Sequence, residues 1–130
     1  MTGDHYFALT SDDYSELWLS PNVSPAGAVR IAYVNGTQGK WPNGAPQRSG
    51  AIPLVAGQLY YIEGRQKEGG GGDYFGAAVN NTGTFVSTDP VIQGVQLTPY
   101  ARPFVVNAGG ILTLGASDQI FDTTGVTLNA

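Results

Sequence analysis

The sequence predicts an all-β fold, a β-sandwich or jelly-roll-like domain, and three observations carry that expectation. Short runs rich in β-branched and aromatic residues recur along the chain, and Val29-Arg30-Ile31-Ala32-Tyr33-Val34 is the cleanest of them. With 19 glycines, 8 prolines and many Thr, Asn and Ser, the composition favours turns over helix. No window sustains the apolar period of an amphipathic helix. At 130 residues, 42% of them hydrophobic, the chain is long enough for one domain with a real core. A single domain over 1–130 is therefore expected.

The elements follow in order. Residues 6–10 and 16–20 read as strands around a polar turn at 11–15, and so as a hairpin. In the second of them Leu17 and Leu19 share one face and Trp18 takes the other. Residues 21–28 form a loop, 29–34 a half-buried strand, and Asn35-Gly36 a tight turn. Residues 37–50 are a long polar loop around Trp41. That ring either plugs the loop onto the core or offers a flat face to a sugar. Residues 51–55 form a strand that Pro53 assigns to a sheet edge. Strands at 58–63 and 74–79 flank a glycine run. Residues 85–87 form a short strand, and 91–97 alternate weakly. A hairpin is expected from 104–106 and 111–114, followed by a polar tail.

Charge excludes several function classes. Only 12% of the residues are charged, against the ~25% of an ordinary soluble domain, and the net charge is −4. No basic patch exists to meet phosphates, so nucleic acid is not an expected partner. No apolar run approaches the ~20 residues that span a bilayer, so no membrane insertion is expected. Without cysteine there is neither a disulfide frame nor a thiolate metal site. His5 is the sole histidine, which leaves no His pair for zinc, and no Gly-x-Ser-x-Gly elbow is present. The chain reads as a piece of a larger exported protein, extracellular or on the cell surface, and not as an enzyme.

Two stretches carry chemistry. Lys67-Glu68-Gly69-Gly70-Gly71-Gly72-Asp73 places four bare backbone units between carboxylates. It is either a slack linker or a loop that something approaches closely. Its carbonyls and acids suit a hard cation such as Ca²⁺, which takes oxygen ligands. They do not suit a phosphate, since no Gly-Lys-Ser/Thr ending or following helix is present. The second stretch is Asp12-Asp13, with Glu16 three residues on. Adjacent strand residues point to opposite faces, so the pair reaches one ion only if the backbone between them bends. The alternative is a solvated turn tip.

From Thr2-Gly3-Asp4 through Thr10-Ser11-Asp12-Asp13-Tyr14-Ser15-Glu16-Leu17-Trp18-Leu19, the chain resembles the PA-fourteen domain family. The stretch from Pro53-Leu54-Val55-Ala56-Gly57 through Tyr60-Tyr61-Ile62-Glu63 to Lys67 and Asp73 resembles a second segment of that family, and residues 90–100 a third, more loosely. The module is known from anthrax protective antigen, glycosidases, yeast flocculins and bacterial adhesins. The resemblance covers about residues 2–100 and implies a β-sandwich. In the family's calcium-dependent lectin branch, neighbouring aspartates joined by a cis peptide hold Ca²⁺, and the ion binds sugar hydroxyls. Carried over, the metal ligands are Asp12, Asp13, Gly70, Gly71 and Asp73, with Glu68 beside them. Tyr14, Tyr74, Trp41 and Phe75 are candidates to stack on the sugar or to pack the rim.

The family has strands before the Thr-Gly segment that this chain lacks, and residues 101–130 differ from its ending. The tail or a partner chain would supply those strands; otherwise an open edge favours self-association. The resemblance implies a calcium-dependent, lectin-like module whose partner is a glycan or cell-surface polysaccharide. The alternative is a structural or adhesive module without a sugar ligand. A glycosidase acid/base pair drawn from Asp12, Asp13, Glu16, Glu63 and Glu68 is disfavoured, because these acids group with loop glycines as metal ligands do.

Overall fold

A computed structural model describes residues 1–41, 44–98 and 100, together with the backbone of 104–106 and 126–128. Six strands build the unit Met1–Leu97: β1 (Gly3–Asp12), β2 (Tyr14–Leu19), β3 (Val29–Val34), β4 (Ile52–Leu54), β5 (Ile62–Lys67) and β6 (Tyr74–Asn80). They form two three-stranded antiparallel sheets, ordered β4-β1-β6 and β3-β2-β5. The fold is a β-sandwich. Its core joins Phe7 and Leu9 of β1 to Leu17 and Leu19 of β2 and to Ala32 and Val34 of β3. Ile52, Leu54, Ile62, Ala77 and Val79 pack around them. Parity explains the arrangement, since inward residues recur every second position and their neighbours face out.

β1 is buried on both faces. Phe7 and Leu9 point into the sandwich, while Ala8 joins Ala78, Phe85 and Trp41 in a second cluster on the far side. The 37–50 loop runs along β1 beyond the end of β4. Leu9 N–H donates to Gln47 O at 2.9 Å, Ser49 N–H to Phe7 O at 2.9 Å, and Gln38 N–H to Ser11 O at 2.8 Å. The loop thereby satisfies the backbone groups that the three-residue β4 leaves open. Pro53 sits on β4, at the sheet edge, where its missing N–H costs no ladder bond.

Several local expectations change. β1 and β2 do not form a hairpin; they belong to different sheets and Asp13 alone carries the chain across. β5 begins at Ile62, four residues later than the expected strand, and runs through the charged residues to Lys67. Residues 85–87 are not a strand, and Phe85 instead fills the second cluster from irregular backbone. A 3₁₀ turn at Gly94–Gln96 stands where weak alternation was read. In the unit Thr98–Ala130, β7 (Phe104–Val106) pairs in parallel with β8 (Val126–Leu128). The expected hairpin through 107–114 lies outside the described residues. Among the described residues no helix is long and apolar enough to cross a membrane.

The outer face of β3-β2-β5 is polar and tightly cross-linked. The Glu16 carboxylate accepts from Arg30 Nη1 at 2.5 Å and from Trp18 Nε1 at 2.9 Å. The Arg30 guanidinium, and then the Trp18 N–H, hold the Glu16 carboxyl below its ordinary range. A carboxyl lowered by folding adds stability above its unfolded value and loses it as pH falls through the folded one. Wild type should therefore exceed Glu16→Gln by about 0.2–1 kcal/mol at pH 7 in urea titrations. That margin should shrink as pH falls below the ordinary carboxylate value and disappear once the folded carboxyl is protonated. A margin that does not change with pH would show that the charge of Glu16 contributes nothing.

Candidate functional site

Two inter-sheet corners lie side by side at one end of the sandwich. Asp13 joins β1 to β2, and residues 68–73 join β5 to β6. Asp12 of β1 is paired with Tyr74 of β6, and Tyr14 of β2 with Lys67 of β5. Each corner therefore starts and ends next to the other, and the fold itself brings the acid pair to the glycine run.

Direct contacts join them. The Gly69 N–H donates to Asp13 Oδ2 at 2.8 Å, and the Gly70 N–H donates to Glu68 Oε1 at 2.7 Å. The Asp12–Asp13 peptide bond is cis. Asp12 Oδ1 accepts from the Thr37 hydroxyl, which brings in the long loop. Asp13 O accepts from Ser11 Oγ at 2.8 Å. Gln66 Nε2 donates to Asp12 O at 2.6 Å and to Tyr74 O at 3.2 Å, so one amide ties β5 to β1 and β6 of the opposite sheet.

The glycines have distinct reasons to be bare. A Cβ on Gly69 would stand 2.6 Å from Asp13 Oδ2, inside contact distance. Gly70 and Gly71 adopt φ of +148° and +110°, a region that side chains disfavour. A Cβ on Gly72 would meet nothing within 4 Å. At Gly64 a Cβ would come within 2.4 Å of Phe75 Cζ, so the aromatic ring of one sheet rests on bare backbone of the other.

The donor chemistry fits calcium. Among the described residues, Asp12 and Asp13 each engage one carboxylate oxygen, which leaves the second of each for an ion. Among the described residues no three or more His, Cys, Asp or Glu side chains are grouped so that they could hold a metal ion. A cation between the corners would therefore need backbone carbonyls, such as those of Gly70 and Gly71, beside the carboxylates. Asp73 closes the loop on its exposed side.

Of the aromatic candidates, Tyr14 and Tyr74 flank the corners and expose 49% and 42% of their surface. Trp41 does not serve as a stacking platform. Its ring is buried against Ala8, Ala78 and Phe85, and its Nε1 donates to Asp89 O at 3.0 Å. Sequence reasoning passed over Gln66 and Thr37. Gln66 shares the inward parity of Ile62 and Gly64, which was the available signal; nothing local marks Thr37.

No family model matches the chain, and no solved structure matches it. The chain is similar to a mouse (Mus musculus) protein, N-acetyl-beta-glucosaminyl-glycoprotein 4-beta-N-acetylgalactosaminyltransferase 1. The identity is 39% over 67 residues, which cover 47% of this chain and 6% of the mouse protein. So short a share carries no argument for catalysis here.

Proposed function

We propose that this domain is a calcium-dependent carbohydrate-binding module of the PA-fourteen type, carried by a larger extracellular or cell-surface protein. The observation that carries the reading is the Gly69 N–H to Asp13 Oδ2 contact, which sets the acid pair against the glycine loop. Asp12, Asp13, Asp73 and the carbonyls of Gly70 and Gly71 hold the ion. Bound calcium supplies a positive centre that takes the place of water around a pair of sugar hydroxyls. The Thr37 hydroxyl and the Gly69 N–H hold the two carboxylates in place. Tyr14 and Tyr74 offer flat apolar faces to the sugar ring, and Glu68 accepts from a hydroxyl. The mouse relative is named as a transferase acting on a glycoprotein sugar, which is compatible with a carbohydrate ligand for this chain.

A second reading has its own support. Protein hydrogen bonds from Gly69 and Gln66 already close the corners, as a purely structural or adhesive module would need. Calorimetry against a panel of neutral oligosaccharides, in millimolar Ca²⁺ and again with chelator, separates the two. The lectin reading expects heat with at least one sugar, abolished by chelator. A chelator-sensitive melting temperature with no sugar heat would give the structural module. No chelator effect of any kind would remove the metal site.

A further inference from the structure

A shallow groove on the outer face of the β3-β2-β5 sheet is lined by Tyr14, Glu16, Arg30, Tyr33, Arg65 and Lys67, among others. Its head is the directly paired Tyr14 and Lys67, the chain neighbours of Asp13 and Glu68. The groove therefore opens onto the corners described above. The chain has six Lys and Arg in a net charge of −4, and three of the six line this groove, where Glu16 pairs with Arg30 and Glu63 with Arg65, leaving Lys67 as the excess positive charge.

The cations are held flat and keep donors to spare. The Arg30 guanidinium lies 4.5 Å from the Tyr33 ring centre and gives Nη1 to Glu16. Arg65 lies 4.5 Å from the Trp18 ring centre and gives Nε, at 2.7 Å, and Nη2 to Glu63. A guanidinium has five N–H donors, so each retains several for a further acceptor. Lys67 has no ion pair among the described residues. Tyr14 and Tyr33 expose 49% and 36% of their surface and can face a sugar ring. The adjoining corner segments carry Asp12, Asp13, Glu68 and Asp73 and repel an anion, whereas the groove attracts one.

We propose that this groove is a subsite for an anionic sugar residue, carboxylated or sulfated, belonging to a glycan whose neutral residue sits at the calcium corner. The assignment rests on the carbohydrate-binding reading above. Its occupant follows from charge complementarity. Planar guanidinium forks match carboxylate and sulfate oxygens, the lysine adds a point charge, and the tyrosines cover the ring faces.

The test is titration calorimetry of the intact chain in calcium with three trisaccharides: one neutral, one ending in a single uronate, one bearing a single sulfate. A single anionic group keeps the sugar from sequestering calcium. The anionic forms should bind on the order of tenfold more tightly than the neutral one at low salt. That ratio should shrink at about 0.5 M salt, where charges are screened within a few ångströms. Lys67→Gln and Arg30→Gln should each reduce it by roughly threefold. A stronger response to uronate or to sulfate identifies the natural source, and either supports the subsite. Equal affinity for all three overturns the subsite and leaves the lectin reading standing. No binding of any of them in calcium overturns the lectin reading and the subsite with it. Anionic binding that persists undiminished in chelator overturns the link between groove and corner.

Discussion

Trp41→Ala should lower unfolding stability by about 3–5 kcal/mol, the cost of emptying a large buried aromatic site. For a chain of this size that is a fall in melting temperature of roughly 10–20 °C. The ring sits at 5% exposure against Ala8 of β1, Ala78 of β6 and Phe85 of the segment that follows β6. Truncation would leave a cavity on the far face of β1 and strand the Asp89 carbonyl that accepts its N–H. Calcium affinity of the folded fraction should not change, because the ring packs in the cluster of Ala8, Ala78 and Phe85 rather than at the corners. Urea unfolding gives the first quantity and calcium titration well below the new midpoint gives the second. Lost sugar binding at unchanged stability would show the ring to be a ligand platform after all.

How far the sequence reveals this molecule depends on which residues carry the information. The 29–34 strand and the 74–79 strand declare themselves by their β-branched and aromatic content, although Val29 and Tyr33 of the first are exposed and the second buries Ala77 and Val79 on one face and Ala78 on the other. Pro53 marks a sheet edge by chemistry alone. The β1–β2 junction misled, because a turn between two strands looks the same whether it closes a hairpin or crosses between sheets; only long-range pairing with β6 and β5 decides. β5 was displaced for a related reason. Its inward positions at the corner end are Gly64 and Gln66, chosen for a bare seat and a pair of amide donors, so the usual hydrophobic alternation is missing. At the candidate site, the acid pair and the glycine run stood out as residue types. Their adjacency was carried by the family resemblance, not by any local pattern. Thr37 stayed hidden because a loop residue has no periodicity to betray its partner.

Calcium should raise the melting temperature of the wild type, and Asp13→Ala should erase that rise. Extracellular sites of this kind bind with dissociation constants of about 0.1–1 mM, so 10 mM Ca²⁺ is worth about 1–3 kcal/mol of stability. In chelator the variant should still lose about 1 kcal/mol, because the Gly69 N–H loses its acceptor. The discriminating measurement is therefore the difference between calcium and chelator, not the midpoint alone. Two glycine variants sharpen it. Gly69→Ala puts a methyl 2.6 Å from Asp13 Oδ2 and should weaken calcium binding on the order of tenfold or more, whereas Gly72→Ala enters open space and should leave it unchanged. Equal calcium responses in wild type, Asp13→Ala and Gly69→Ala would mean that no ion binds between the corners.

The buried residues change character along the sandwich. Phe7, Leu9, Leu17 and Leu19 fill one end with hydrocarbon, but toward the corners Ser11 and Ser15 stand in the same inward rows, their hydroxyls 2.6 Å apart. Phe75 beside Ser11 is 39% exposed, and Val34 beside Ser15 is the smaller apolar residue that stays buried. Hydrophobic grip scales with apolar area removed from water, so it fades toward this end. The corners are accordingly where local opening that leaves the rest of the fold intact should cost least, and where amide exchange should be fastest among the strand ends. Whatever binds there draws its effect on the whole molecule from closing the weakest seam.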